Sequence, residues 1–425
     1  MLKRELGLTG AILTGLGSMI GTGIFVSLGI AAGIAGSWVL VALALAAGLA
    51  LCNGLSSAQL AASHPLSGGT YEYGYRYLSP ALGFTAGWMF LVAKSASAAT
   101  AALGCMGYLL SVLPAVNLDD SAPVVGAIAL IWLLTGVVIL GVRRSSHVNL
   151  AILTVTFLSL LTFVIVAAQY AQRQAWVGLT LGWDPLRLPD VLQATALMFV
   201  AYSGYARITV LGEEVKAPQQ TIPRAIGVTI GLVMLLYGAV TVVALAGVGP
   251  TALGQAAHQQ AAPLEVLVTS FGVPWVRPFI AMGAISAMVG ILLNLILGLS
   301  RMVLAMARRG DLPAVLAQIS LEGSRPTAAI LTVSLGICLL VLLGNVKTTW
   351  SFSAFSVLIY YAITNWAALQ LPEGDRQFPR WLAIVGLVGC GGLTVWVEPV
   401  VWCSGSGLIV IGLAWHYWRR KGNAA

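Results

Sequence analysis

The sequence predicts an all-α integral membrane protein of about twelve transmembrane helices. Of its 425 residues, 59% are hydrophobic and only 8% are charged, whereas soluble domains carry about 25% charged residues. No Asp, Glu, Lys or Arg occurs between Glu5 and Glu72, room for two consecutive spans. The apolar runs are long and do not alternate with period two, which favours helices over a closed barrel.

The charge-free runs place the elements in order. Span one covers Leu8–Ala35, span two Trp38–Ser63, span three Leu82–Leu113 and span four Pro123–Leu140. Span five covers His147–Tyr170, span six Asp190–Leu211, span seven Ala225–Val248 and span eight Val276–Met306. Spans nine to twelve cover Pro326–Leu343, Trp350–Leu371, Trp381–Val397 and Val401–Trp418. Basic residues orient them, because cytoplasmic loops retain Lys and Arg. A cytoplasmic N-terminus puts Lys3, Arg4, Arg76, Arg143, Arg144, Lys216, Arg224, Arg301, Arg308, Arg309 and Arg325 inside. Arg376, Arg380, Arg419, Arg420 and Lys421 join them, and only Arg173, Arg187, Arg277 and Lys347 fall outside. Both termini are therefore expected in the cytoplasm, with the chain in the cell (plasma or inner) membrane. The net charge of +8 reports this topology and is not a nucleic-acid signal. Lys3 and Arg4 before an apolar run resemble a signal peptide, but the run continues into further spans, so it reads as a retained first helix.

Several function classes are excluded. The cysteines Cys52, Cys105, Cys338, Cys390 and Cys403 form no CxxC pair and read as small buried hydrophobes. No metal site, cofactor or grouped catalytic side chain is expected, so an enzyme is not. A Walker motif is absent, which argues against ATP-driven transport by this chain.

The stretch Gly15–Gly29, "GLGSMIGTGIFVSLG", is the first local anomaly. Each Gly costs a helix about 1 kcal/mol relative to Ala. Two readings fit: tight packing through Gly17-x-x-x-Gly21, or a break at Gly21-Thr22-Gly23 that lines a cavity. A dinucleotide loop is excluded by the absence of a βαβ context. Span six repeats the anomaly at Tyr202-Ser203-Gly204-Tyr205. Spans one and six each open a group of five, and five is odd, so the second group runs inverted. Residues 1–170 are then a first five-helix repeat, 189–372 a second, and 380–425 two extra helices with a cytoplasmic tail. Interrupted helices at matching places in inverted halves point to a transporter site. The second half of span one offers amide N–H groups to an anion. The first half of span six offers carbonyls to a cation. An α-amino acid carries both charges.

The residues "MIGTGIF" (19–25), "HPLSGGTYEYGYRYLSPALGFTAGW" (64–88), "AYSGY" with "EEVKAPQQTIPRAI" (201–226) and "GLSRMVLAMARRGDLP" (298–313) carry a resemblance. In order and spacing the chain resembles the amino acid–polyamine–organocation transporter family over nearly its whole length. That resemblance implies the LeuT-type fold of two inverted five-helix repeats. It also implies transport of an amino acid by alternating access. Carried over by position, it puts Ile20, Gly21, Thr22, Gly23 and Ile24 on the substrate carboxylate. Ala201, Tyr202, Gly204 and Tyr205 would face the ammonium and side chain. Phe199 and Tyr205 are candidate aromatic gates, with plain packing as the alternative.

Two departures from the family pattern matter. Some sodium-independent relatives carry a span-five lysine in place of a sodium ion, and here that position is Thr156. Many relatives have Glu after the span-six break, and here it is Ala206. Two intramembrane cations appear instead, Lys94 and Arg207. Lys94 either snorkels to the interface or supplies the cation missing at Thr156. Arg207 pairs with substrate, carbonyls or a loop carboxylate.

The acids Asp119, Asp120, Asp184, Asp190 and Glu265 are expected at the outer side. Glu5, Glu72, Glu213, Glu214, Asp311, Glu322, Glu373 and Asp375 are expected inside, and none mid-membrane. Glu213 and Glu214 read as a solvated loop or an inner gate, and Tyr71, Tyr73, Tyr75 and Tyr77 as an interfacial belt. Proton or sodium coupling and ion-free exchange stay open, Ser286 being a candidate sodium ligand. The expected function is a secondary transporter of neutral amino acids. Export, polyamine or amine transport, and a non-transporting receptor are the alternatives.

Overall fold

The computed structural model describes residues 6–64, 68–112, 119, 121–140, 146–174, 176, 185–210, 215–260, 262–319, 326–343 and 345–424. Described residues are helical throughout the apolar runs, and no strand forms beyond one isolated bridge, Leu6 with Val215. Eight helices are long and apolar enough to cross a membrane, the first run, Leu8–Ser63, holding spans one and two. Thr327–Val341 and Arg380–Thr394, at spans nine and eleven, are shorter apolar helices. Span six falls short of a single helix because it is interrupted, as described below.

Among the described residues, two further α-helices lie between spans. Thr70–Tyr77 connects spans two and three. Pro263–Ser270 precedes span eight. Span seven belongs to a helical run, Pro218–Gln260, kinked at Gly249. Gly249 has φ +78°, a conformation that costs glycine nothing and a β-carbon residue strain. Pro250 follows, where its fixed φ suits a new first turn.

The packing interleaves distant parts of the chain. Span one lies against spans six and seven, span three against spans eight and ten, and span five against span eight. Polar pairs cross these interfaces where lipid offers no competing water. Ser97 meets Ser353 at 2.7 Å and Thr100 meets Thr349 at 2.8 Å between spans three and ten. Asn365 donates to Asn53, and Asn53 to the Cys390 sulfur at 3.2 Å, tying spans ten, two and eleven. Leu133, Leu140, Val388 and Val400 remain exposed on spans four, eleven and twelve, as a lipid-facing rim requires.

Spans one and six run antiparallel along one line. The Lys216 amide donates to the Leu6 carbonyl at 2.9 Å on the face that holds the start of span one. Further along, Gly204 meets Ser18 and Gly23 meets Ala201. At the far face, Ala35, Gly36, Trp38, Arg187 and Asp190 share a cleft of about 420 Å³.

Candidate substrate site

Span one breaks where its glycines cluster. Its first helix ends at Met19, and Ile20 is extended, with φ −76° and ψ 105°. A π-helical turn, Gly23–Ser27, follows before the α-helix resumes at Leu28. Such turns interrupt the regular ladder and leave backbone groups open. The amides of Ile24 and Phe25 both reach the Gly21 carbonyl at 3.1 Å. The amides of Gly21, Thr22 and Gly23 precede them in the open first turn, where intrahelical acceptors run out. All of Ile20, Gly21, Thr22, Gly23 and Ile24 are buried.

Span six is interrupted more gently than its sequence suggests. Leu188–Tyr202 passes into a 3₁₀ turn, Ser203–Tyr205, and then into Ala206–Val210. Tyr202, Ser203 and Ala206 at the junction keep right-handed helical angles. The expected unwinding is thus a tightening. One glycine stands here against two at the span-one break, and the 3₁₀ turn retains its own amide–carbonyl bonds.

The two interruptions touch. A Cβ on Gly23 would lie 2.5 Å from the Ala201 Cβ, and one on Gly204 would lie 2.4 Å from the Ser18 carbonyl oxygen. Both glycines therefore serve close backbone approach. The Gly17-x-x-x-Gly21 packing reading is partly met too, since a Cβ on Gly21 would strike Ile291 of span eight at 2.0 Å. The buried hydroxyls of Thr22 and Tyr202 have no hydrogen-bond partner among the described residues. A buried polar atom in that condition is costly unless something else satisfies it.

Three tyrosines brace the interruptions, and sequence reasoning missed all three. Tyr237 of span seven donates to the Met19 carbonyl at 2.7 Å. Tyr108 of span three donates to the Phe25 carbonyl at 2.7 Å. Tyr361 of span ten donates to the Ser203 carbonyl at 3.2 Å. The available signal was a tyrosine deep in an apolar run, whose hydroxyl must find an acceptor. Phe199 and Tyr205 both pack on Tyr361, with ring centroids 5.5 and 5.4 Å away.

The charged candidates separate. Lys94 does not snorkel: its Nζ lies 3.0 Å from Ser203 Oγ, in the span-six turn. Arg207 reaches Asn294 of span eight at 3.3 Å. Thr156 donates to the Ile152 carbonyl at 2.8 Å and approaches the Gly283 carbonyl at 3.5 Å. Ser286 donates to that same Gly283 carbonyl at 3.0 Å. Thr156 and Ser286 thus converge on one carbonyl, while Lys94 is bonded to a different span from Thr156.

Glu265, expected at the outer side, lies fully buried on Pro263–Ser270 and pairs with Arg277, which also donates to the Ser111 carbonyl. The tyrosines of Thr70–Tyr77, read from the sequence as an interfacial belt, make specific contacts. Tyr71 and Tyr75 donate to the Asp311 carboxylate at 2.5 and 2.8 Å, and Arg309 lies over both rings. Tyr73 is buried as well. His416 of span twelve approaches the same carboxylate at 3.1 Å. Burial, then the Asp311 hydrogen bond, pushes both the Tyr71 and Tyr75 hydroxyls well above the usual tyrosine range. Glu213 and Glu214 lie outside the described residues.

A many-span helical membrane protein with paired, touching interruptions in two antiparallel spans belongs to the transporter class. The chain matches the amino acid permease family model over residues 6–414, and it belongs to that family. It is 41% identical over 419 residues to an uncharacterized transporter of Mycobacterium tuberculosis, covering 99% of this chain and 92% of the relative. It is 27% identical to the branched-chain amino acid permease BcaP of Bacillus subtilis, over 93% of this chain and 86% of the relative. A cationic amino acid transporter of Arabidopsis thaliana, number 3, mitochondrial, is 29% identical over 78% of this chain and 56% of its own length. The protein is a multi-pass membrane transporter of the amino acid permease family and not an enzyme.

Proposed function

We propose that the protein carries α-amino acids with uncharged side chains across the cell membrane by alternating access. The carboxylate binds the open amides of Gly21, Thr22 and Gly23, flanked by Ile20 and Ile24. The ammonium and side chain face Ala201, Tyr202, Gly204 and Tyr205. One observation carries the reading: the open turn of span one lies in direct contact with the turn of span six, the two spans running antiparallel. A helix N-terminus favours an anion, and the adjoining C-terminal end of Leu188–Tyr202 favours a cation.

In this reading residues 1–170 and 189–372 are the inverted repeats, spans eleven and twelve are additions, and both termini are cytoplasmic. The repeats rock about the fixed site. The far-face cleft at Ala35 and Arg187 is the mouth of one access path. Thr156 and Ser286, meeting at the Gly283 carbonyl, form the candidate place for a coupling cation.

Uptake by the purified protein in liposomes tests this. Radiolabelled amino acids are offered with and without a sodium or proton gradient. Saturable uptake of a zwitterionic amino acid, lost in Gly23→Val, is the expected result. Uptake of no amino acid under any gradient removes the reading. An equal response with and without each gradient assigns ion-free exchange and leaves Thr156 and Ser286 without a coupling role.

A further inference from the structure

Of the two intramembrane cations, Lys94 stands where it bears on which side chains are carried. Lys94 sits on span three among buried neighbours Ala93, Ala96, Ser97 and Ala98. Its ammonium is 3.0 Å from Ser203 Oγ. That hydroxyl donates its own proton to the Val200 carbonyl at 2.8 Å. It therefore offers Lys94 lone pairs, and Lys94 is the donor. Ser203 lies between Tyr202 and Gly204, two residues of the proposed substrate site, so the charge is set beside that site.

Nothing among the described residues neutralises it. Lys94 forms no ion pair there. The described carboxylates lie at span ends or in connecting segments, among them Asp190 in the first turn of span six, Glu265 on the helix before span eight and Asp311 past the end of span eight. The next cation along span six is Arg207, of the same sign. A cation at membrane depth is rare and marks a substrate or ion path.

We propose that Lys94 is the residue that fixes side-chain charge, admitting neutral and acidic amino acids and excluding cationic ones. This deepens the reading of the site above and rests on it. Two unit charges about 6 Å apart at an effective dielectric near 20 repel strongly enough for roughly hundredfold discrimination. The same field favours a carboxylate-bearing side chain. The inference separates this chain from its relative named for cationic amino acids, and places it with the one named for branched-chain substrates.

Norleucine and lysine form the decisive pair, since they share a carbon chain and differ by one ammonium. Competition against labelled norleucine in proteoliposomes is expected to favour norleucine over lysine by roughly a hundredfold, with glutamate competing better than lysine. Lys94→Gln is expected to reduce the norleucine-to-lysine ratio at least about tenfold, whatever its absolute rate, while Lys94→Arg keeps it. Should Lys94→Gln transport neither, ligand-induced thermal stabilisation in detergent reads the same ratio. Lysine competing as well as norleucine in the wild type overturns the assignment, as does an unchanged ratio in Lys94→Gln. Uptake of none of these amino acids by the wild type is a different failure: it removes the site reading itself.

Discussion

Gly204 rests on the carbonyl oxygen of Ser18, which would stand 2.4 Å from any β-carbon placed there. The contact joins the span-six turn to the last turn of the first half of span one. A few residues away, Gly23 presses on Ala201 in the same manner. The two turns therefore meet with no room for a further carbon at either glycine.

Adding one carbon at either contact is expected to impair transport. Gly23→Ala and Gly204→Ala overpack the junction, which costs about 1–3 kcal/mol and corresponds to a loss of about tenfold or more in uptake. Gly227→Ala and Gly238→Ala, whose β-carbons would meet open space, serve as controls and should change uptake little. Uptake per folded molecule in liposomes distinguishes them. Equal rates in all four would show that the contact is not needed.

The bracing tyrosines make a stability prediction. Tyr237→Phe removes the hydroxyl donor from the Met19 carbonyl and Tyr108→Phe the one from the Phe25 carbonyl. Each is expected to cost about 1–2 kcal/mol and to lower Tm in detergent. Tyr170→Phe, on a half-buried ring of span five, provides the comparison. Unchanged Tm in both would mean the carbonyls find other donors.

The Glu265–Arg277 pair should behave as a half-buried ion pair. Glu265 is fully buried, and Arg277 keeps 40% side-chain exposure. Arg277→Gln leaves a buried carboxylate without its cation, a loss of about 3 kcal/mol at the low end for buried pairs. Glu265→Gln added to it removes the stranded charge and should restore much of that loss. A double variant no more stable than Arg277→Gln alone would contradict the pairing.

An alkaline titration tests the Asp311 cluster. Burial and the Asp311 hydrogen bond raise the Tyr71 and Tyr75 hydroxyls. A folded-state value above the unfolded one gives stability that is complete below the unfolded pKa, about 10, and lost as pH rises beyond it. Wild-type protein should thus lose stability above about pH 10. Tyr71→Phe and Tyr75→Phe together should flatten that loss and remove two late-ionising tyrosines from the tyrosinate absorbance. An identical alkaline profile in the double variant would refute the cluster's role.

Much was legible in the residues. The scarcity of charge fixed the bilayer as solvent, and the uninterrupted apolar runs fixed helices, because lipid leaves backbone groups no other partners. Gly21-Thr22-Gly23 announced a break, since three weak helix formers in a row at mid-span have a steep local cost. The one glycine of Tyr202–Tyr205 announced only a weak point, and its conversion to a 3₁₀ turn depended on Ser18, Tyr361 and Lys94 arriving from other spans. Local composition thus determined the membrane, the helices and the place of the break. Which carbonyl each buried tyrosine caps, that Glu265 is buried, and that Lys94 points at Ser203 were decided by packing between different spans and segments, at sequence separations of 83 for Tyr108, 218 for Tyr237 and 109 for Lys94. Spacing along one helix carries no record of the neighbour it will meet, so those contacts belong to the tertiary structure alone.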